Sequence, residues 1–399
     1  AAIAKSMSMN WHNFLFGAMD PGGTVSVDKI PGSFWSMALS VKLLGMSSLA
    51  VLLPNALATT GTVVVIALAT RRWVGATAGL IAGALFAVTP VVAAVARSNQ
   101  PYAMFLFFMS LAAYRVVDAL TTGSRRSLIG AGLWIAVAFQ SYMLVAWAIW
   151  PAIIVAWLVA APFPRARRIA DVCVAGAVSL AASLAWIMLV TFTPASSRPW
   201  IGGSNGNSAW ELVLGYNGFG RFASSASSGS VVTSSYRGFA ADYGGPAGWG
   251  RLFNEYVAGQ VMWLLPATAI AVLIIRWAIV HAPTLAPNRA VTVFFVGWFF
   301  TYFLLFSFAT GIHQFYTEVM APAIAALVAV AVVIVARSQQ VFGRLALMGM
   351  LIATWLFAWR ITSTSLLSRL GSTLNSIQFM SRRRSLTCVA SPDKNCWSL

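Results

Sequence analysis

Residues 291–337 read VTVFFVGWFFTYFLLFSFATGIHQFYTEVMAPAIAALVAVAVVIVAR. Two apolar runs, at 290–309 and 317–337, flank a short polar turn holding His313 and Tyr316, with Glu318 at the start of the second run. Each run is long enough to cross the hydrocarbon core of a bilayer as a helix, which takes about 20 residues. The pattern repeats outward from this pair, giving further candidate spans at 46–70, 75–96, 102–121, 127–141, 143–162, 169–193, 259–280 and 343–360. The fold class expected is an all-α integral membrane protein, a multi-helix transmembrane bundle with extracytoplasmic loops.

Composition points the same way. The 399 residues are 59% hydrophobic and only 9% charged, with a mean hydropathy of +0.79, whereas a soluble domain carries about a quarter charged residues. The formal net charge of +17 does not signal nucleic acid. Nucleic-acid proteins gather their basic residues on one polar face, and here Arg stands singly or in pairs between apolar runs.

Those arginines set the orientation, because cytoplasmic turns collect Lys and Arg. Arg71 and Arg72, then Arg115, Arg125 and Arg126, then Arg165, Arg167 and Arg168 alternate with the spans, and Arg276, Arg289, Arg337 and Arg344 continue the series. Among the opposite short turns only Arg97 is basic. The first set is expected to be cytoplasmic, in a multi-pass plasma-membrane protein. That divides the chain into a first outer loop with an interfacial helix (1–45), helices (46–193), a large outer loop (194–258), helices (259–360) and an outer tail (361–399). Residues 33–45 are too short to span, and Trp35, Leu39, Leu43 and Leu44 recur at helical spacing, as in a helix lying in the interface. The opening AAIAKSMSMNWHNF has no initiator Met, so a preceding span is expected.

Most acidic residues fall on the outer side: Asp20, Asp28, Glu211, Asp242, Glu255, Glu318 and Asp393, with His12 and His313 beside them. Cys173 lies in an apolar run, while Cys388 and Cys396 in the tail share a compartment that permits a disulfide, though spacing alone does not decide it. No Cys/His grouping has zinc-site spacing, and no Walker loop, dinucleotide fingerprint or metalloprotease helix is present. Any reaction must therefore draw on a donor already activated.

Outer stretches that could carry chemistry are few. DPGGTVSVDKIPGSFW, residues 20–35, joins Asp20 and Asp28 to Lys29 in an acid-poor chain. A lysine offers a point charge to phosphate while a carboxylate accepts a proton, and two carboxylates could share a divalent cation. A solvated turn is the plainer reading. ARSNQPYAMF, residues 96–105, puts Arg97 at the outer surface, suited to a phosphate headgroup or simply to snorkelling. The large loop sets Trp200, Trp210, Tyr216 and Phe219 among glycines and amides such as Asn217. That mixture suits sugar rings, and equally an interfacial aromatic belt. FATGIHQFYTEVMAP, residues 308–322, places His313 and Tyr316 toward the same compartment.

Together these stretches resemble the multi-spanning glycosyltransferases of family 39, the protein O-mannosyltransferases and aminoarabinose transferases, in particular the actinobacterial and Gram-positive mannosyltransferase-like branch. WHNFLFGAMDPGGTVSVDKIPGSFW is similar to that branch's first outer loop, where a D-K-P-P element precedes an interfacial helix. TPASSRPWIGGSNGNSAWELVLGYNGFGR resembles its large loop, and GIHQFYTEVMAPAIAAL its late H-P-Y-Y turn. The likeness runs over about residues 1–337.

The resemblance implies a GT-C fold that passes a sugar from a polyprenyl-phosphate lipid to an outer glycan, lipid or protein acceptor, usually with inversion. On this reading Asp28, with Asp20 as second candidate, is the catalytic carboxylate. Lys29, Arg97 and His313 hold the donor phosphate, and Trp200, Tyr216, Asn217 and Tyr316 meet sugar or acceptor. Beyond a divalent cation no cofactor is implied. The sequence departs from the family pattern at Ile30, where the element has a proline, and at Tyr102, where an N-P-D motif would end in a carboxylate. The tail after 380 is unlike the folded outer domain often found in that branch. These departures keep a lipid-binding member without catalysis as an alternative. A lipid-linked sugar transporter is a further one, disfavoured because such proteins place ionisable groups mid-membrane.

Overall fold

The computed structural model describes residues 1–160, 162–222, 243–338, 340–341 and 343–363. The Cys388–Cys396 pairing, most of the expected outer tail, Asp242 and Asp393 lie outside them.

Helices form where the apolar runs predict. Two short ones, α1 (Ala2–Met9) and α2 (Trp11–Phe16), precede α3 (Gly32–Leu44), the expected interfacial helix. Then follow α4 (Ser48–Val74), α5 (Ala76–Ala87), α6 (Pro90–Ala96), α7 (Tyr102–Thr122) and α8 (Arg125–Tyr142). After these come α9 (Leu144–Trp147), α10 (Trp150–Ala160), α11 (Arg165–Ser183) and α12 (Ala185–Phe192). Beyond the large loop lie α13 (Leu265–His281), α14 (Arg289–Phe308), α15 (Ala321–Ser338) and α16 (Gly343–Ser363). Side-chain caps open several of them: Ser47 Oγ accepts from Ala50 N, Ser124 Oγ from Ser127 N, and Asn288 Oδ1 from Ala290 N.

Among the described residues, six helices are long and apolar enough to cross a membrane, or up to eight if each bent pair is one span. The bent pairs are α5 with α6, at 67°, and α11 with α12, at 40°. The expected spans at 127–141 and 143–162 are helical, but Met143 divides them with a φ of 50°. The second is a shorter apolar helix, Leu144–Val159.

At the centre stands α15. Its Ala321, Ala323, Ala325, Ala326, Ala329 and Ala331 are all buried, and α5, α13 and α14 pack around it. Inside a bilayer the neighbouring lipid is as apolar as leucine, so helices associate through close van der Waals packing, which small side chains permit. A second packed group, α4 with α7 and α7 with α8, stands beside it.

Chain direction brings the first residue of α7, the last of α8, the start of α3 and the turn before α15 to one end of the bundle. At the opposite end, acids are met by arginines. Asp118 pairs with Arg72 and accepts a hydrogen bond from the Ser127 hydroxyl. Arg125 Nε lies 3.3 Å from Asp171 Oδ1.

Candidate functional site

The site begins with how residues 10–33 are folded. Gly17 closes α2 in the left-handed conformation (φ 69°) and its carbonyl accepts from Val27 N. The chain doubles back through an antiparallel bridge between Ala18 and Ser26, and Val25 bridges in parallel to Trp200 of the large loop. Gly202 lies against this return strand, where an added Cβ would stand 2.2 Å from Ser26 O. Beyond the strand, Gly32 opens α3 against the end of α8: a Cβ there would stand 2.4 Å from Gln140 O. Ser33 Oγ then donates to Pro101 O at 2.9 Å. Asp28 and Lys29 are thus held between the large loop on one side and the bundle on the other.

Within that frame Lys29 Nζ lies 3.2 Å from Asp28 Oδ1. Tyr216 donates its hydroxyl to Asp28 Oδ2 at 3.3 Å. The next residue, Asn217, donates Nδ2 to the Asp28 carbonyl at 2.9 Å. Both follow from a π-helical turn, Glu211–Tyr216, a wide turn often found at functional sites. Arg221 Nη2 donates to Asn217 Oδ1 at 3.4 Å, and its Nη1 donates to Gly311 O at 2.7 Å. Thr310 donates both N–H and hydroxyl to Arg221 O, each at 2.7 Å. The guanidinium therefore joins the large loop to the turn that carries His313.

Aromatic rings close the floor. Tyr316 stacks on Tyr102, with centroids 5.0 Å apart, and Tyr142 meets Tyr102 edge-on at 4.3 Å. His313 stacks on Phe315 and tilts against Tyr243. Beside Arg221 opens a cavity of about 250 Å³ with walls that include Met143, Leu144, Phe219, Phe222, Phe306 and Ile312. Met143, with its positive φ, sits in this wall; strained backbone of this kind costs on the order of 1–3 kcal/mol and clusters at functional sites. Burial lowers the His313 pKa, and the charges of Lys29 and Arg221 lower it further against the opposing Asp28. The imidazole is neutral at pH 7, and around it stand Lys29, Asp28 and Arg221, the last of which lines the apolar cavity. A guanidinium beside an apolar cavity is chemically suited to an anion attached to a hydrocarbon.

The remaining sequence candidates lie apart from this cluster. Asp20 accepts from the Thr24 hydroxyl and from Thr24 N and Val25 N. The Thr24 hydroxyl bond and those backbone bonds keep its carboxyl below the usual range. It stabilises its own turn, and among the described residues it joins neither Asp28 nor a cation. Trp200 uses its backbone to hold Thr24 and Ser26, while its ring stays largely exposed. Arg97 follows α6, exposed, and makes no side-chain hydrogen bond or ion pair among the described residues. Its turn is anchored by Asn55 Nδ2, which donates to Ser98 O and Gln100 O. Glu318, read from the sequence as lying at an outer helix end, is buried, and neither carboxyl oxygen has a hydrogen-bond partner among the described residues. No group of three His, Cys, Asp or Glu is placed to hold a metal among them.

Sequence reasoning gave no role to Arg221 or Tyr142. The available signal for Arg221 was its place in GYNGFGR, four residues after Asn217, the second of the two residues that grip Asp28.

Residues 28–192 match the family described as dolichyl-phosphate-mannose-protein mannosyltransferase. The Bacillus subtilis protein YkcB, named as a mannosyltransferase, is 32% identical over 88% of this chain. The chain spans 61% of that relative's length. ArnT from Cupriavidus metallidurans, solved with undecaprenyl phosphate, superposes with a TM-score of 0.58 at 18% identity, over 88% of this chain and 58% of its own. The oligosaccharyltransferase AglB from Archaeoglobus fulgidus, in complex with an inhibitory peptide and a dolichol-phosphate, gives 0.52 at 13% identity, over 85% and 48%.

Proposed function

We infer that this chain, a member of the GT-C membrane glycosyltransferases to which the protein mannosyltransferases belong, moves a sugar from a polyprenyl-phosphate-linked donor to an acceptor on the outer face of the plasma membrane. The observation that carries this reading is the Asp28–Lys29 pair joined through Asn217 to Arg221, which lines the apolar cavity. In the reaction, the acceptor hydroxyl gives its proton to the Asp28 carboxylate and its oxygen bonds to the anomeric carbon. The bond from that carbon to the phosphate oxygen breaks, and the lipid phosphate leaves with the electron pair. Lys29 and Arg221 stabilise the charge that develops there, where preorganised donors act most strongly. The prenyl chain passes along the cavity wall of Phe219, Phe222 and Phe306. Arg97, exposed beyond the turn tied to Ser33 through Pro101, meets the headgroup as it enters from the membrane. Tyr316 and the aromatic floor meet sugar or acceptor.

The test is transfer from a labelled polyprenyl-phosphate sugar in membranes carrying the chain. Asp28→Asn is expected to lower turnover by roughly 10²–10⁴-fold, the usual worth of a positioned base, while leaving the lipid bound. Donor binding without transfer in the wild-type chain would instead support the binding-only reading, to which Tyr102 at the expected carboxylate position lends weight.

A further inference from the structure

We propose that Asn217 is a positioning residue that fixes the distance between the two chemical ends of the reaction, the acceptor-activating carboxylate and the phosphate-holding guanidinium. The proposal rests on the transferase reading and assigns this residue a different task from the sugar contact expected from its sequence.

The geometry leaves the amide one orientation. Asn217 Nδ2 faces two carbonyls, Asp28 O at 2.9 Å and Leu212 O at 3.3 Å. Its Oδ1 faces Arg221 Nη2 at 3.4 Å. A carbonyl only accepts and a guanidinium only donates, so the amide must present its NH₂ to the first pair and its oxygen to the second. Asparagine is suited to this place because it offers both a donor and an acceptor on a short, planar group. Aspartate would set an oxygen against the Asp28 carbonyl; leucine would satisfy neither side.

The link is buried, with Asn217 8% exposed, and its backbone N–H is itself held by Leu212 O at 3.0 Å. Arg221 is anchored at its other nitrogen by Gly311 O and at its carbonyl by Thr310, so Asn217 sets the remaining freedom, the direction of Nη2. Asp28 is in turn held by Tyr216 from the same turn. One amide therefore completes a chain from the Asp28 backbone through Arg221 to the His313 turn. A displacement of about 1 Å between reacting groups costs up to about 100-fold in rate, so the loss of this link shows mainly in turnover.

The experiment compares Asn217→Ala and Asn217→Asp in the full chain. It measures steady-state transfer, affinity for polyprenyl monophosphate in micelles, and melting temperature. Asn217→Ala is expected to lower kcat roughly 10–100-fold and to loosen polyprenyl phosphate about tenfold through the freed Arg221. Asn217→Asp keeps an acceptor for Arg221 but sets a full negative charge against it, so it is expected to bind polyprenyl phosphate more weakly than Asn217→Ala does, while the missing donor to Asp28 O leaves kcat equally low. A purely structural role would move the melting temperature in both variants and would not separate affinity from turnover. An Asn217→Ala chain that turns over and binds as the wild type does would overturn the proposal. A wild-type chain that transfers no sugar would overturn the transferase reading instead. In that case equal phosphate affinity in the two variants would still refute the Arg221 half of the link.

Discussion

The two ends of the helix bundle treat their carboxylates in different ways. At one end, Asp118 is matched by Arg72 and Asp171 by Arg125. At the other, Asp28 pairs with Lys29, with Tyr216 on the carboxylate itself. Among the described residues Arg221 has no carboxylate partner there, and it is tied to Asp28 only through Asn217. Paired ions of opposite sign cancel and have little left for a ligand. An excess of one sign, held in place by neutral hydrogen-bonding groups, keeps its attraction for a charge that arrives from outside. The first arrangement locks helix ends together, and the second is built to be completed.

The largest expected effect tests that excess directly. Removing either cation, by Lys29→Ala or Arg221→Ala, is expected to lower transfer about 10²–10³-fold, the range for loss of one preorganised group at a developing charge. Retained transfer in both variants would show that the cations at this end are as self-contained as those at the other.

A smaller effect is expected at the far end, and of a different kind. Asp118→Asn should lower stability by about 1–3 kcal/mol, because Arg72 and Ser127 lose a shared partner. It should show as a lower melting temperature with turnover unchanged at temperatures well below melting. If Asp118→Asn altered turnover but not melting, the division of labour between the two ends would be wrong.

The smallest effect is one of pH. An unfolded histidine takes up a proton near pH 6.5, and His313 takes one up only at lower pH because of its burial and the nearby Lys29 and Arg221. Its contribution to stability is therefore intact above about pH 6.5 and is lost as pH falls through the folded value. A bound phosphate opposes the field of those cations and raises the pKa. Polyprenyl phosphate should consequently raise the melting temperature more at about pH 5.5 than at about pH 7.5, and His313→Gln should remove that difference. A pH dependence that survives in the variant would assign it to another group.

The helices were legible in the sequence because lipid imposes a simple rule on length and apolarity. The boundary between 127–141 and 143–162 anticipated the break at Met143, but not its conformation, since a positive φ on methionine has no composition signal. In the site, Asp28, Lys29, Tyr216, Asn217, His313 and Tyr316 were all singled out, and the structure brings them together. Asp20 looked equivalent to Asp28 because both are acids in one short loop. The difference arises from Thr24, whose hydroxyl and N–H turn the Asp20 carboxylate inward on its own turn. Arg97 attracted notice by being alone among the short outer turns, while Arg221 was one of several arginines in a long loop. Which of these reaches the carboxylate depends on where that loop folds back, and this is decided by contacts to residues 310–311, about 90 positions along the chain. Such distant pairings leave no local pattern to read.

Gly32 carries a genetic consequence. With Gln140 O in the space a Cβ would occupy, any other residue there must push the start of α3 away from α8 and take Asp28 and Lys29 with it. A saturation screen scored by sugar transfer would rank position 32 among the reactive groups, although it contributes no side chain to the reaction. An inherited change at that position would be mistaken for the loss of a catalytic atom.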